Sequence, residues 1–215
     1  MTTYRSLELF FGNGSFSRAC LELGFEVIGV GIDPCPLDLI DEIEYHQIDI
    51  LKFDYSKLPK INIIWSSPVC ATYSMGGISH KHREKCIAIT DLARLHDSYV
   101  LKVLEMIKAL KPQFDIMENP IGCLRKQPFM KGIPNAEVTY CQYGDFRMKP
   151  TDLFGTLPKG FKPKRCKNGD PCHVASPRGS RTGTQGMPKH LKSRIPFALC
   201  YEITSRAKGE MTRSC

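Results

Sequence analysis

The sequence predicts an α/β fold with a mostly parallel sheet. Two observations carry that prediction. Short apolar runs rich in β-branched residues alternate with stretches of helical periodicity. The residues best suited to chemistry also fall in order at the ends of those runs: Gly12 and Gly14, Asp33, Asp49, Cys70 and Glu118. Open parallel sheets bind ligands at the carboxyl ends of their strands.

Residues 4–11 read as the first strand, weighted by Leu7, Leu9, Phe10 and Phe11. Gly12-Asn13-Gly14-Ser15 is a turn, with Ser15 placed to cap a helix. Phe16, Ala19, Cys20 and Leu23 then recur at helical spacing, and Gly24 stops the helix. Residues 26–32 form the second strand and end at Asp33-Pro34. Ile48-Asp49-Ile50 ends a short third strand, and residues 61–66 are the fourth. Residues 67–83 form a long loop with a Gly76-Gly77 pair and a basic end. Residues 90–110 give the clearest helix, with Val100, Val103, Ile107 and Leu110 on one face and Pro112 beyond its end. Residues 114–118 are the fifth strand, and 136–140 and 152–154 add two more. Residues 155–194 are rich in Gly, Pro, Lys and Arg, and a closing helix is expected over 196–206.

The chain has 215 residues and a formal charge of +8, enough length for one domain with its own core. The charge is polarised. Residues 1–60 carry 5 Lys/Arg against 10 Asp/Glu, whereas residues 155–215 carry 13 against 3. A net +10 at one end fits either a polyanionic partner or a solvated basic surface. No apolar run is long enough to span a bilayer, and the start lacks the apolar stretch of a secretory leader. The expected location is cytoplasmic, or nuclear in a host with a nucleus. The ten cysteines are irregularly spaced and need not pair there.

Gly12 and Gly14 let a ligand approach the backbone between a strand and a helix, although an ordinary tight turn has the same look. The third glycine of a dinucleotide fingerprint is missing, and no Gly-Lys-Ser/Thr follows. Asp33 lies about 20 residues on, where an acid commonly holds a ribose hydroxyl. Ser67-Pro68-Val69-Cys70 presents a thiol at a rigid turn after a strand, a good way to hold a nucleophile. His80, Lys81, His82, Arg83 and Lys85 offer charge for phosphates beyond it. Cys166, Cys172 and His173 suggest three of four ligands for a structural zinc, but no paired C-x-x-C accompanies them and no fourth ligand is evident.

Over most of its length, and in order, the chain resembles the C5-cytosine-specific DNA methyltransferases, most of all their short phage and viral members. Glu8-Leu9-Phe10-Phe11-Gly12-Asn13-Gly14-Ser15-Phe16 resembles the cofactor motif. Asp33-Pro34 resembles the ribose-binding acid, and Asp49-Ile50 the adenine-contacting pair. Ser67-Pro68-Val69-Cys70 resembles the nucleophile motif, and Glu118-Asn119 the catalytic acid motif. Residues 143–151 resemble the basic motif behind the target base, and Ile195-Pro196 the return that completes the cofactor pocket. The resemblance implies a Rossmann-like S-adenosylmethionine-dependent methyltransferase fold. It implies a cofactor site of Phe10, Gly12, Gly14, Ser15, Asp33, Pro34, Asp49 and Ile50, with S-adenosyl-L-methionine as cofactor. It implies a catalytic set of Cys70, Glu118, Arg147 and Lys149. The implied substrate is double-stranded DNA, approached by a monomer without a membrane, with the target cytosine flipped out of the helix.

The expected organisation is a catalytic domain over 1–154, a short basic recognition segment over 155–194 and a C-terminal return over 195–215. Arg178, Arg181, Lys189, Lys192 and Arg194 are the recognition segment's candidate contacts. Three departures matter. Val69 stands where the family has proline, Thr151 where it has a final arginine, and Ser193 where it has asparagine. Two other readings stay open: a tRNA cytosine-C5 methyltransferase, since some family members act on tRNA with the same Cys and Glu, and, from these departures, a nucleic-acid-binding module that keeps the fold without turnover.

Overall fold

A computed structural model of the chain describes residues 3–74, 79–174 and 187–213. The predicted Gly76-Gly77 pair, Arg178 and Arg181 lie outside the described residues, as do the side chains of His80 and Lys189. In chain order the elements are β1 (Arg5–Leu9), α1 (Ser15–Glu22), β2 (Glu26–Gly31), β3 (Glu44–Gln47), β4 (Ile63–Ser66) and α2 (Ser79–His82). A hairpin of β5 (Arg83–Glu84) and β6 (Ile87–Ala88) follows, then α3 (Asp91–Leu110), β7 (Phe114–Pro120), β8 (Asn135–Thr139), β9 (Pro150–Thr156), α4 (Lys189–Ser193) and α5 (Phe197–Arg213).

Seven strands form one sheet in the order β3-β2-β1-β4-β7-β9-β8. The first five pair in parallel, and β9 runs antiparallel to both β7 and β8. Both faces are covered, so the central strands read as continuous apolar runs. On one face Phe16, Ala19 and Cys20 of α1 and Leu199, Cys200 and Ile203 of α5 pack on Val27, Ile63, Trp65 and Ile116. Phe16 stacks on Trp65 with ring centroids 5.2 Å apart. On the other face Val100, Val103 and Met106 of α3 pack on Leu7, Leu9, Ile28, Ile64 and Met117. Among the described residues, no helix is long and apolar enough to cross a membrane.

The α/β class, the parallel sheet and the strand sequence are as expected, and six local expectations change. Ser15 does not cap α1. Gly14 takes the cap position at φ 65°, without a side-chain bond. The cap comes from β1 instead, because buried Glu8 accepts from the Ser17 backbone N–H at 2.9 Å and its hydroxyl at 2.6 Å. The third strand ends at Gln47, and Asp49 starts a 3-10 turn by accepting from the Leu51 N–H at 2.9 Å. The loop after β4 is partly ordered into α2 and the β5–β6 hairpin. Arg83 is withdrawn from any phosphate role: it is buried, bound to Asp97 at 2.6 Å and to the Thr72 carbonyl at 2.9 Å, with its guanidinium 4.0 Å from the Tyr73 ring. Two of the cysteines do pair, since a disulfide joins Cys86 to Cys123. The closing helix runs on to Arg213, where Ala207 and Met211 continue its buried stripe.

Glu8 gives this fold a pH signature. Desolvation lifts its carboxyl to about 7, against the opposing pull of the Ser17 bonds and of Arg18. The folded chain therefore holds a proton that the unfolded chain releases at lower pH. That contribution to stability is full in acid and is lost as pH rises through 7. Between pH 4.5 and 8 the unfolding free energy of the wild type should fall by about 3 kcal/mol more than that of Glu8→Gln. Urea titrations of both proteins across that range measure the difference.

Candidate functional site

β4 and β7 are neighbours, with Ser66 opposite Met117. Beyond that pair Ser67–Cys70 leave the sheet, whereas Glu118–Pro120 continue β7 alongside them and pair with β9. The buried Asn119 side chain closes the gap, its amide donating to the Pro68 carbonyl at 2.9 Å. Its own carbonyl Oδ1 has no partner. Beyond Pro68, the Tyr73 and Ser74 N–H groups both return to the Cys70 carbonyl at 2.9 Å, so Cys70 opens a tight turn. The turn is fixed in place by the Cys123 N–H, which donates to the Tyr73 carbonyl at 2.7 Å.

Glu118 is buried, and its Oε1 accepts from the Tyr140 hydroxyl at 2.7 Å. Lys149 is buried beside it, with Nζ 3.9 Å from Oε1 and 4.4 Å from the centre of the Tyr140 ring. The partly buried Cys70 thiol senses both groups. Desolvation pushes its pKa up, the Lys149 ammonium pulls it down, and the Glu118 carboxylate pushes it up again. Cys70, Glu118 and Lys149 thus form one electrostatic unit at the ends of β4, β7 and the approach to β9.

Arg147 does something different. Its guanidinium is held by Asp145 and donates to the carbonyls of Leu191 at 2.7 Å, Lys192 at 3.2 Å and Arg194 at 3.1 Å. All of its donors are spent on the chain, so it fastens the returning segment and leaves Lys149 as the cation nearest the thiol. Thr151 is buried in β9, with its hydroxyl donating to the Lys149 carbonyl at 3.1 Å. The exposed Lys192 and Arg194 sit on the segment that Arg147 anchors.

The glycine loop lies at the ends of β1 and β2. Phe10 adopts φ 59° and packs edge-on against Tyr99 of α3, with centroids 5.7 Å apart. A Cβ on Gly12 would meet nothing within 4 Å, whereas one on Gly14 would lie 2.5 Å from Leu39 Cδ1. Gly12 therefore faces open space and Gly14 is tight against the protein. Ser15 is buried at the start of α1. Asp33 and Pro34 are exposed at the tip of β2, where the Asp33 carbonyl accepts from the Tyr45 hydroxyl at 2.5 Å. Ile32 beside them is 70% exposed, an apolar surface at a strand tip. Asp49 is partly buried and caps its turn, and Ile50 is buried behind it. Tyr99 feels the Asp49 charge, which joins the first and third strand ends through α3.

Sequence reasoning missed Tyr140, Tyr99 and Ile32. Tyr140 closes an ordinary apolar strand, Tyr99 sits in a long amphipathic helix, and Ile32 looks like strand core, so no local pattern marks them. Two cavities, of about 300 and 240 Å³, lie along the β3 edge around Glu44 and Pro59 and contain no candidate residue.

No protein-family model and no curated protein sequence matches the chain. Solved structures do. The methyltransferase EhMeth from Entamoeba histolytica superposes with a TM-score of 0.51 at 14% identity, covering 78% of this chain and 58% of EhMeth. The Dnmt2 methyltransferase of S. pombe gives 0.48 at 16% identity, covering 75% and 52%. The chain thus spans little more than half the length of these proteins. The likeness to EhMeth is one of fold, and it agrees with the Rossmann-like methyltransferase fold expected from the sequence.

The Cys70 environment makes opposite demands of two substitutions. Lys149→Met should move the pH midpoint of Cys70 alkylation upward, and Glu118→Gln should move it downward. Iodoacetamide labelling resolved by peptide mass spectrometry separates Cys70 from the other free cysteines. Unmoved midpoints in both variants would rule out the electrostatic unit.

Proposed function

We propose that the chain is a methyltransferase that transfers a methyl group from S-adenosylmethionine to C5 of cytosine in DNA. The observation that carries this reading is the meeting of a thiol, a buried carboxyl group and a buried ammonium at two tied strand ends, next to an open glycine loop. The loop suits the cofactor. Gly12 leaves backbone accessible, exposed Asp33 suits a ribose hydroxyl, and Ile32 and Phe10 offer apolar surface for an adenine ring. When bound, S-adenosylmethionine supplies the electrophilic methyl that C5 takes up.

The chain's residues make C5 nucleophilic. Cytosine C5 is a poor nucleophile because its electrons belong to the ring's conjugation. Cys70 as thiolate adds to C6, forming an S–C6 bond and pushing the C5–C6 electron pair towards C5. Glu118 holds the N3 side and supplies the proton that keeps negative charge off the ring. Tyr140 fixes the rotamer of Glu118. Lys149 favours the thiolate before attack and faces the carboxylate after proton transfer. As C5 bonds the methyl, the sulfonium–methyl bond breaks; water then takes the C5 proton, the S–C6 bond breaks to free Cys70, and Glu118 takes back the N3 proton as the ring regains aromaticity. A base inside a duplex cannot reach Cys70, so the cytosine is flipped out. The exposed Lys159, Lys162, Lys167, Lys192 and Arg194 provide charge for the backbone of that DNA.

A mechanism-based trap tests the reading. DNA containing 5-fluorocytosine cannot lose a proton from C5, so an active enzyme stays attached through sulfur. With S-adenosylmethionine the wild type should give a covalent complex that survives denaturing electrophoresis, and Cys70→Ser should give none. Glu118→Gln should form it roughly 10²–10⁴-fold more slowly. An adduct in Cys70→Ser, or none in the wild type with either DNA or tRNA carrying the analogue, would overturn the assignment.

A further inference from the structure

Residues 164–174 are laid along the turn that follows β8. The Thr139 N–H donates to the Lys164 carbonyl at 3.1 Å, the Cys166 N–H to Thr139 Oγ1 at 2.9 Å and the Val174 N–H to the Phe146 carbonyl at 2.9 Å. These bonds carry Cys166, Cys172 and His173 to Cys141, which lies in the 3-10 turn Tyr140–Tyr143. The four ligand atoms all lie within 4.8 Å of one another. Cys141 Sγ is 3.1 Å from Cys166 Sγ and 3.7 Å from Cys172 Sγ. His173 Nδ1 is 3.7 Å from both Cys166 Sγ and Cys172 Sγ.

We propose that Cys141, Cys166, Cys172 and His173 bind one structural zinc ion. The spacing fits. A tetrahedral centre with Zn–S bonds of about 2.3 Å has ligand–ligand edges of roughly 3.7 Å. Three of the four separations given above have that length, and the fourth is well beyond the ~2.05 Å of a disulfide. A disulfide would use two sulfurs and leave the third and the imidazole without a purpose. Three thiolates and one imidazole form a closed, soft donor set that selects zinc and leaves no open position for catalysis.

The segment also needs a staple. Residues 157–174 form no helix or strand; Leu157 and Phe161 pack against the core and Pro158 is buried beside them. So little apolar burial leaves the stretch to be held by polar contacts, such as Lys164 with Glu202 and Arg165 with Glu137, and by the cluster. The ion fixes Cys141, the neighbour of Tyr140, whose hydroxyl holds Glu118. The metal thus anchors residues 164–174 and braces the turn behind the candidate site, whatever substrate that site accepts.

Metal analysis of the full-length chain, purified without a histidine tag and under reducing conditions, is the test. Wild type should carry about one zinc per chain, and X-ray absorption should show three sulfurs at about 2.3 Å and one nitrogen at about 2.0 Å. Cys172→Ser, at the most exposed ligand, should lose the zinc, and Cys35→Ser, outside the cluster, should keep it. If Cys172→Ser does not fold, the wild-type absorption spectrum decides alone. A zinc-free wild type that gives no tetrahedral thiolate bands with cobalt, or a bound zinc lacking the three-sulfur shell, would overturn the proposal. These readouts do not involve methyl transfer, so they fail or succeed separately from it.

Discussion

One buried hydrogen bond organises the site: the Asn119 amide on the Pro68 carbonyl, at 2.9 Å. Parallel pairing brings β4 and β7 to the same edge, but it does not fix the chains that leave them. The bond does. It ties the turn carrying Cys70 to the strand carrying Glu118, across 51 positions of sequence. A net bond of this kind contributes about 1 kcal/mol, while a broken one leaves a buried carbonyl unpaired at a cost of about 1–3 kcal/mol. The tie is therefore retained for geometry as well as stability.

The electrostatics follow from that geometry. Burial alone would keep Cys70 protonated and unreactive. Lys149 opposes the desolvation, and Glu118 works against Lys149. Sequence resemblance offered two cations for this purpose, and packing divides their tasks. Arg147 is planar and rich in donors, so it joins Asp145 to three backbone carbonyls of the returning chain. Lys149 is a compact charge on a flexible stem; it shares the Lys192 carbonyl at 3.3 Å but keeps its charge beside the carboxylate. Thr151, which carries no charge, fits this division because its hydroxyl is satisfied by the Lys149 carbonyl.

The sheet was legible because its strands are buried on both faces and read as apolar runs, and because Thr90 and Pro112 bracket α3. The strand-end residues Gly12, Asp33, Cys70 and Glu118 were legible for the same reason, since the strands themselves mark their ends. What stayed hidden depends on long-range packing. Glu8 rather than Ser15 caps α1 because the neighbouring strand brings a carboxyl group to the helix. Arg83 reads as a surface cation next to two histidines and a lysine, yet Asp97 draws it inside. Cys141 lies 25 positions before Cys166, and only the path of residues 164–174 along the sheet brings them together.

The central claim is that Cys70 and Glu118 act together on the 5-position of a cytosine. Its most direct measurement is nucleoside analysis of DNA and tRNA after incubation with isotopically methyl-labelled S-adenosylmethionine. Label is expected in 5-methylcytosine from DNA, and none when Cys70 is replaced by serine. Label on any other nucleoside, or 5-methylcytosine formed undiminished without Cys70, would contradict it.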